Sequence, residues 1–350
     1  MSSVLSLPYG HDLPYSNRRK LATWLLFVAG LVFCMVVLGG VTRLTESGLS
    51  MVEWKPVTGW LPPLSEEAWV AEFDKYKAFP EYQKVNKGMS LDEFKSIFAF
   101  EYAHRVLGRL IGLAFFLPMM FFIFTKKVER QHIPRLVGLL ILGGAQGVMG
   151  WVMVKSGLVD HPDVSHYRLT AHLTLACLIF AALLWTALDL LKSPERFAGT
   201  HPLRSFAAFG LLLVLLQIMI GGFVAGLNAG FIYNNWPMMG DSFIPDDIWH
   251  MTPWYLNFLE NIATIQFTHR MMAYVIFAVL LVLFLKVRAA NPTPEAKSAA
   301  HMLIAAVFLQ ILIGIWTLVA VVPITLGALH QAGGLVVLGA GVLLVHRLSR

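Results

Sequence analysis

Phe100-Glu101-Tyr102-Ala103-His104-Arg105-Val106-Leu107-Gly108-Arg109 runs directly into the apolar stretch Leu110 to Phe124. A run of this length and composition is a membrane-crossing helix. A carboxylate, a histidine and two arginines therefore enter the bilayer together. On insertion scales a charged side chain at the bilayer centre costs roughly 3 kcal/mol, so such a cluster reads as a site unless it is only a helix end whose long side chains snorkel to the surface. Repetition argues against the snorkelling end: Gln266-Phe267-Thr268-His269-Arg270 opens a second apolar run with the His-Arg pair intact.

The rest of the chain has the same character. Of 350 residues, 57% are hydrophobic and 14% charged, which excludes a soluble globular protein and implies a multi-pass membrane protein. Apolar runs long enough to cross a bilayer occur at 21–43, 98–124, 133–154, 168–191, 204–226, 264–287, 299–321 and 324–346. The expected fold class is an all-α membrane protein of eight transmembrane helices. Lysine and arginine gather at Arg18 to Lys20, Lys126 to Arg135, Lys192 to Arg204, Lys286 to Lys297 and Arg347 to Arg350. The positive-inside bias then puts these segments, and both termini, in the cytoplasm. The net charge of +6 is explained by that bias and implies no nucleic-acid partner. Cys34 and Cys177 both lie in apolar runs, where packing accounts for them and no disulfide framework is indicated. The N-terminus shows neither a cleavable signal nor a transit sequence, which favours a bacterial inner membrane.

The first outer segment, 44–97, is long and charged. Ser65-Glu66-Glu67 opens a short helix with Trp69, Phe73 and Tyr76 on one face, a face suited to lying on the membrane surface. Ser90-Leu91-Asp92-Glu93 is a capping-box pattern that starts the second long helix above the bilayer.

An internal duplication organises the chain. Gly39-Gly40, Ser47-Gly48 and Trp54 recur as Gly221-Gly222, Ala229-Gly230 and Trp236; His104 recurs as His269, and His172 as His330. The expected division is a cytoplasmic tail at 1–20, an N-terminal four-helix half at 21–191 and a C-terminal four-helix half at 204–346. Four helices is an even number, so the halves share one orientation and are related by an axis along the membrane normal. Two tandem, pseudo-two-fold related bundles result.

His104, His172, His269 and His330 each fall within the first two turns of an even-numbered helix, at the outer side. Two on facing helices of one bundle can hold an iron porphyrin from both faces. A single histidine in an apolar helix is more often a satisfied packing residue, but four at matching depth are not explained that way. Four residues beyond each stands Gly108, Ala176, Ala273 or Gly334, leaving room for a flat macrocycle, although small residues also serve helix packing. Arg105 and Arg270, with Arg43 and Arg168, lie at the outer rim where porphyrin propionates would point. His161 and His166, beside Asp160 and Asp163, lack a recognised metal-ligand spacing; His11, His132, His201, His250, His301 and His346 are assigned no role. The halves differ at one decisive place: three residues before the histidine the first half has Glu101 and the second Gln266. Only the first half offers a carboxylate as a base or as a stabiliser of positive charge.

The run Gly39-Gly40-Val41-Thr42-Arg43-Leu44-Thr45-Glu46-Ser47-Gly48-Leu49-Ser50-Met51, then Trp54-Lys55-Pro56, Tyr82-Gln83, Asn86 and Glu93-Phe94-Lys95, resembles the haem A synthase family, in the class of mitochondria and alphaproteobacteria. The stretches around His104, His172, His269 and His330 fit the same family, so the likeness covers nearly the whole chain. It implies an oxidoreductase that converts the methyl group of haem O to the formyl group of haem A, with oxygen from water, for terminal oxidase assembly. It further implies haem b on His269 and His330, the substrate haem O at His104 and His172, and catalysis by Glu101. Haem O synthase and an electron-transfer protein are the implied partners within the lipid bilayer, and a homo-oligomer is compatible with it. Some members carry a cysteine pair in the first outer segment; this chain has none there, which excludes a mechanism that needs those thiols. The competing readings are a dihaem b-type cytochrome that carries electrons across the membrane, and a transporter built from a repeat. A trans-membrane wire needs haems towards opposite faces, and transporters place polar groups near the midplane; here they gather at the outer rim.

Overall fold

A computed structural model describes residues 15–55, 58–158, 163–192 and 201–349. Part of the N-terminal tail, His11, Pro56, Asp160, His161 and Arg196 lie outside the described residues. Among the described residues there are eight long helices, as expected: α1 (Tyr15–Leu44), α4 (Leu91–Phe124), α5 (Ile133–Gly157), α6 (His166–Leu190), α7 (Arg204–Gly226), α8 (Ile262–Ala290), α9 (Pro294–Val319) and α10 (Ile324–Arg347). The two short helices α2 (Glu66–Lys77) and α3 (Pro80–Lys84) belong to the first outer segment. Caps decide several ends. Ser90 and Glu93 form a reciprocal capping box at α4, the Asn261 side chain accepts from the Thr264 N–H at α8, and Thr293 does so for Ala296 at α9. Each satisfies backbone N–H groups that have no partner within their own helix.

Helices α1, α6, α7 and α10 form the centre, where α1 packs on α6 and α10 and α7 packs on α6 and α10. Helices α4 and α5 flank the first half, α8 and α9 the second. Lipid is as apolar as leucine, so the centre is held by close packing and by bonds across the halves, not by exclusion from lipid. Buried Leu25, Val28, Cys177, Leu183, Leu335 and Leu344 supply the packing; Cys34, by contrast, is exposed. Gln331 on α10 donates to the Val36 carbonyl of α1 at 2.8 Å. Asp189 accepts from Arg135 at 2.6 Å and stands 3.0 Å from Nε2 of His346 on the other half. The Arg43 guanidinium donates to the Ala225 carbonyl in the last turn of α7 and to Asn228 Oδ1 just beyond it.

Helix α2 departs from its expected place on the membrane surface. Its Phe73 and Tyr76 are buried with Phe94 and Phe98 of α4, and the Phe73 and Phe94 rings stack at 4.9 Å. The reason lies in α4. It starts two turns above the apolar run, and the aromatic face so raised is covered by the matching face of α2.

Candidate functional site

His104 and His172 in the first half and His269 and His330 in the second line one continuous cavity of about 1270 Å³, more than the roughly 300–1,000 Å³ of an ordinary small-molecule pocket. The sequence pairs them two to a half at one depth, and the fold sets both pairs in this one cavity. The His269 and His330 ring centres are 6.4 Å apart. An iron shared between two imidazoles calls for roughly 6 Å, taking about 2 Å for each metal–imidazole bond. Gly108, Ala176, Ala273 and Gly334 all line the cavity, as expected for a flat ligand.

Each histidine ring rests on a glycine of the preceding helix. A Cβ at Gly39, Gly150, Gly221 or Gly314 would stand 3.0, 3.0, 3.2 or 2.7 Å from Cε1 of His104, His172, His269 or His330. The adjacent glycines of the repeated Gly-Gly pairs face the other half instead, Gly40 towards Gln331 and Gly222 towards Thr170. One of each pair therefore admits a histidine and the other a neighbouring bundle.

Four residues before three of these glycines stands a glutamine that sequence reading missed. Nε2 of Gln146, Gln217 and Gln310 donates to the backbone carbonyls of His172, His269 and His330 at 3.1, 2.9 and 2.7 Å. The same nitrogens lie 3.3, 3.5 and 3.1 Å from the rings. Oε1 of all three glutamines is buried without a partner, as is Nδ1 of His104, His172 and His269. Metal-bound imidazoles ligate through one ring nitrogen and donate the other N–H to an acceptor, so a buried ring nitrogen left unpartnered is one still open to a ligand. The orphaned atoms thus fit iron-bound histidines. At His104 the corresponding residue of α1 is Met35, so the series is broken there. The legible signal was Gln-x-x-x-Gly inside three apolar helices.

Glu101 is buried, 3% exposed, and lines the cavity. It accepts from the Ser50 hydroxyl at 2.8 Å, the Met51 N–H at 2.7 Å and Arg105 at 2.5 Å. A carboxylate has about four acceptor sites, so one remains. Gln266 makes the converse bond, donating to the Tyr233 carbonyl at 3.1 Å. Both residues tie their outer segment to the helix, one by accepting and one by donating.

The arginines expected at the propionate edge also bond backbone carbonyls. Arg105 bonds the Met51 and Glu53 carbonyls, Arg109 the Lys55 and Gly59 carbonyls, and Arg270 the Tyr233, Asn235 and Met238 carbonyls. Arg168 donates to the Val152 carbonyl. Arg105, Arg109 and Arg270 thus strap the outer segments over the cavity, because loop carbonyls there have no strand or helix partners. Nε of Arg270 is still buried and unpartnered. His166 sits 3.4 Å from Glu260, and no cluster of three metal-ligating side chains occurs among the described residues.

Glu81 on α3 was not singled out by sequence. It is buried, lines the same cavity, and has an unpartnered Oε2. Burial pushes its carboxyl up to about 7, and the Glu101 charge adds to the rise, against a hydrogen bond with Tyr76.

Comparison with known proteins gives the family. Residues 22–342 match the COX15-CtaA family model, described as cytochrome oxidase assembly protein. A heme A synthase of Parvibaculum lavamentivorans is 57% identical over 96% of this chain and 96% of its own length. Those of Nitrosospira multiformis and Rhodospirillum centenum are 48% and 50% identical, each over 99% of this chain and over 98% and 93% of their own. With a fold of eight apolar helices, paired histidines and similarity from end to end, the chain belongs to the COX15-CtaA family, the family of the heme A synthases.

Proposed function

We propose that this chain is a haem A synthase whose N-terminal half holds haem O between His104 and His172, while its C-terminal half holds haem b between His269 and His330. Turning a methyl group into a formyl group with oxygen from water releases four electrons and four protons per methyl. Haem b, when bound, supplies one-electron redox chemistry. The chain's own contribution is placement and charge. The outer segments cover the cavity, Arg105 and Arg109 pin the first of them, and Glu101 sets a carboxylate at the edge of the chamber with one acceptor site free. There it can stabilise positive charge developing beside the ring or take a proton from the attacking water. The observation that carries this reading is the asymmetry of Glu101 against Gln266 in two chambers built around corresponding histidine pairs. A haem O synthase as supplier and an electron acceptor are the partners this chemistry requires.

The test is extraction and chromatography of the haems from purified protein supplied with haem O. The parent should contain haem b together with haem O or haem A, and His104→Ala should lose the haem O and haem A while keeping haem b. Retention of all three would remove His104 from the substrate site.

The proposed orientation has both termini in the cytoplasm of a bacterial inner membrane, since the basic residues collect on one set of segments. Reporter fusions at Lys126 and Lys286 should read cytoplasmic and one at Lys77 external. The reverse pattern would move both chambers to the other face.

A further inference from the structure

The two flanks of the molecule are not filled alike. Gly112 on α4 and Gly143, Gly144 and Gly147 on α5 line the cavity, and a Cβ built on any of them meets no atom within 4 Å. The duplication gives the counterparts in the second half. The register of His104 with His269 pairs Gly112 with Phe277; the register of Gln146 with Gln310, and of Gly150 with Gly314, pairs the other three with Val307, Phe308 and Ile311. Val307 is buried in the core, and Phe277 and Ile311 pack against it. Space that Phe277, Val307 and Ile311 narrow in the second half is therefore left open in the first, although the fourth counterpart, Phe308, is exposed. Helices α4 and α5 are also the two spans least covered by the rest of the protein. Against this cleft lie Oε1 of Gln146 and Nδ1 of His172, both buried and without partners, so it opens from a chamber built to take a ligand.

We propose that the cleft between α4 and α5 seats the isoprenoid chain of the substrate haem, and that its filled counterpart makes the second half selective for a haem without one. The inference rests on the reading that the first half holds haem O. Gly112 lies eight residues below His104 and Gly143 seven below Gly150, a depth of about 10–12 Å at 1.5 Å per residue. The cleft thus runs from the histidine level towards the bilayer midplane. The long chain of haem O is attached at the porphyrin edge away from the propionates, so with the propionates at the outer rim it points down this way. Moving an isoprenoid from lipid into protein gains little, because lipid is equally apolar. The cleft acts by leaving room, and selectivity in the second half comes from the clash that Phe277, Val307 and Ile311 impose.

The experiment brings the second half's residues into the first, as Gly112→Phe, Gly143→Val and Gly147→Ile together, in purified full-length protein in lipid nanodiscs. Haem O and haem b are titrated separately and binding to the first half is read from the Soret difference spectrum. An overpacked site costs about 1–3 kcal/mol, so haem O should bind roughly 10–10²-fold more weakly than to the parent while haem b binds as before. Equal weakening of both haems, or no change in either, overturns the proposal. Should the triple variant fail to keep its second-half b-type spectrum, Gly147→Ile alone decides by the same ratio. His104→Ala separates the two claims: if it leaves haem O binding intact, the substrate assignment has failed, whatever the cleft variants do.

Discussion

Replacing Glu101 by Gln should stop formation of haem A while haem O still binds in the first half. Loss of one charge-stabilising group slows a step by about 10²–10³-fold, enough to leave unreacted or partly oxidised haem in the extract. The substitution also disturbs structure, because Ser50 and the Met51 N–H both donate to Oε2, and a glutamine can offer its oxygen to them only by setting its NH2 group against the Arg105 guanidinium. An unmet buried donor costs about 1–3 kcal/mol. Ser50→Ala separates the contributions, since it removes one bond of the strap and keeps the carboxylate. Chromatography of the bound haems together with the rate of haem A formation decides the matter. Parental rates in Glu101→Gln, or failure only because haem O no longer binds, would make Glu101 a structural anchor. The second half is the internal control: Gln266 meets a carbonyl where Glu101 meets two donors, so that chamber is built for an amide and has no carboxylate beside its first histidine.

Replacing His269 or His330 by Leu should abolish the low-spin b-type spectrum of the purified protein. The ring centres are 6.4 Å apart, a spacing that suits one iron, and a leucine offers no lone pair to a metal. The protein should still insert, because the helices are held by packing away from the chamber and by the ties through Gln331 and Asp189. Optical spectra of the reduced protein check the outcome; unchanged spectra in both single variants would rule the pair out as ligands.

Much of this was legible in the sequence. Eight spans follow from hydropathy because backbone groups in lipid must bond within their own helix, and the repeated histidines follow from the duplication because equivalent positions in two bundles reach equivalent depth. The difference between Glu101 and Gln266 was also visible, as a change of one residue in a matched context. Ser90 and Glu93 marked the true start of α4 for a local reason: a capping box is made within four residues.

What sequence left undecided are the contacts between segments remote in the chain. Whether Trp69, Phe73 and Tyr76 meet lipid or protein depends on how far α4 rises, and it rises far enough to bury Phe73 and Tyr76. Whether Arg105 and Arg270 point at a ligand or at loop carbonyls depends on where the outer segments lie, and those carbonyls take five of their N–H bonds. The glutamine shelf behind three histidines, the burial of Glu81 and the open cleft at Gly112, Gly143 and Gly147 each require two helices to be set side by side. Hydropathy and repetition determine which residues cross the membrane and at what depth; only the packing of one helix on another decides which of them touch, because lipid on every side gives a helix no preferred face of its own.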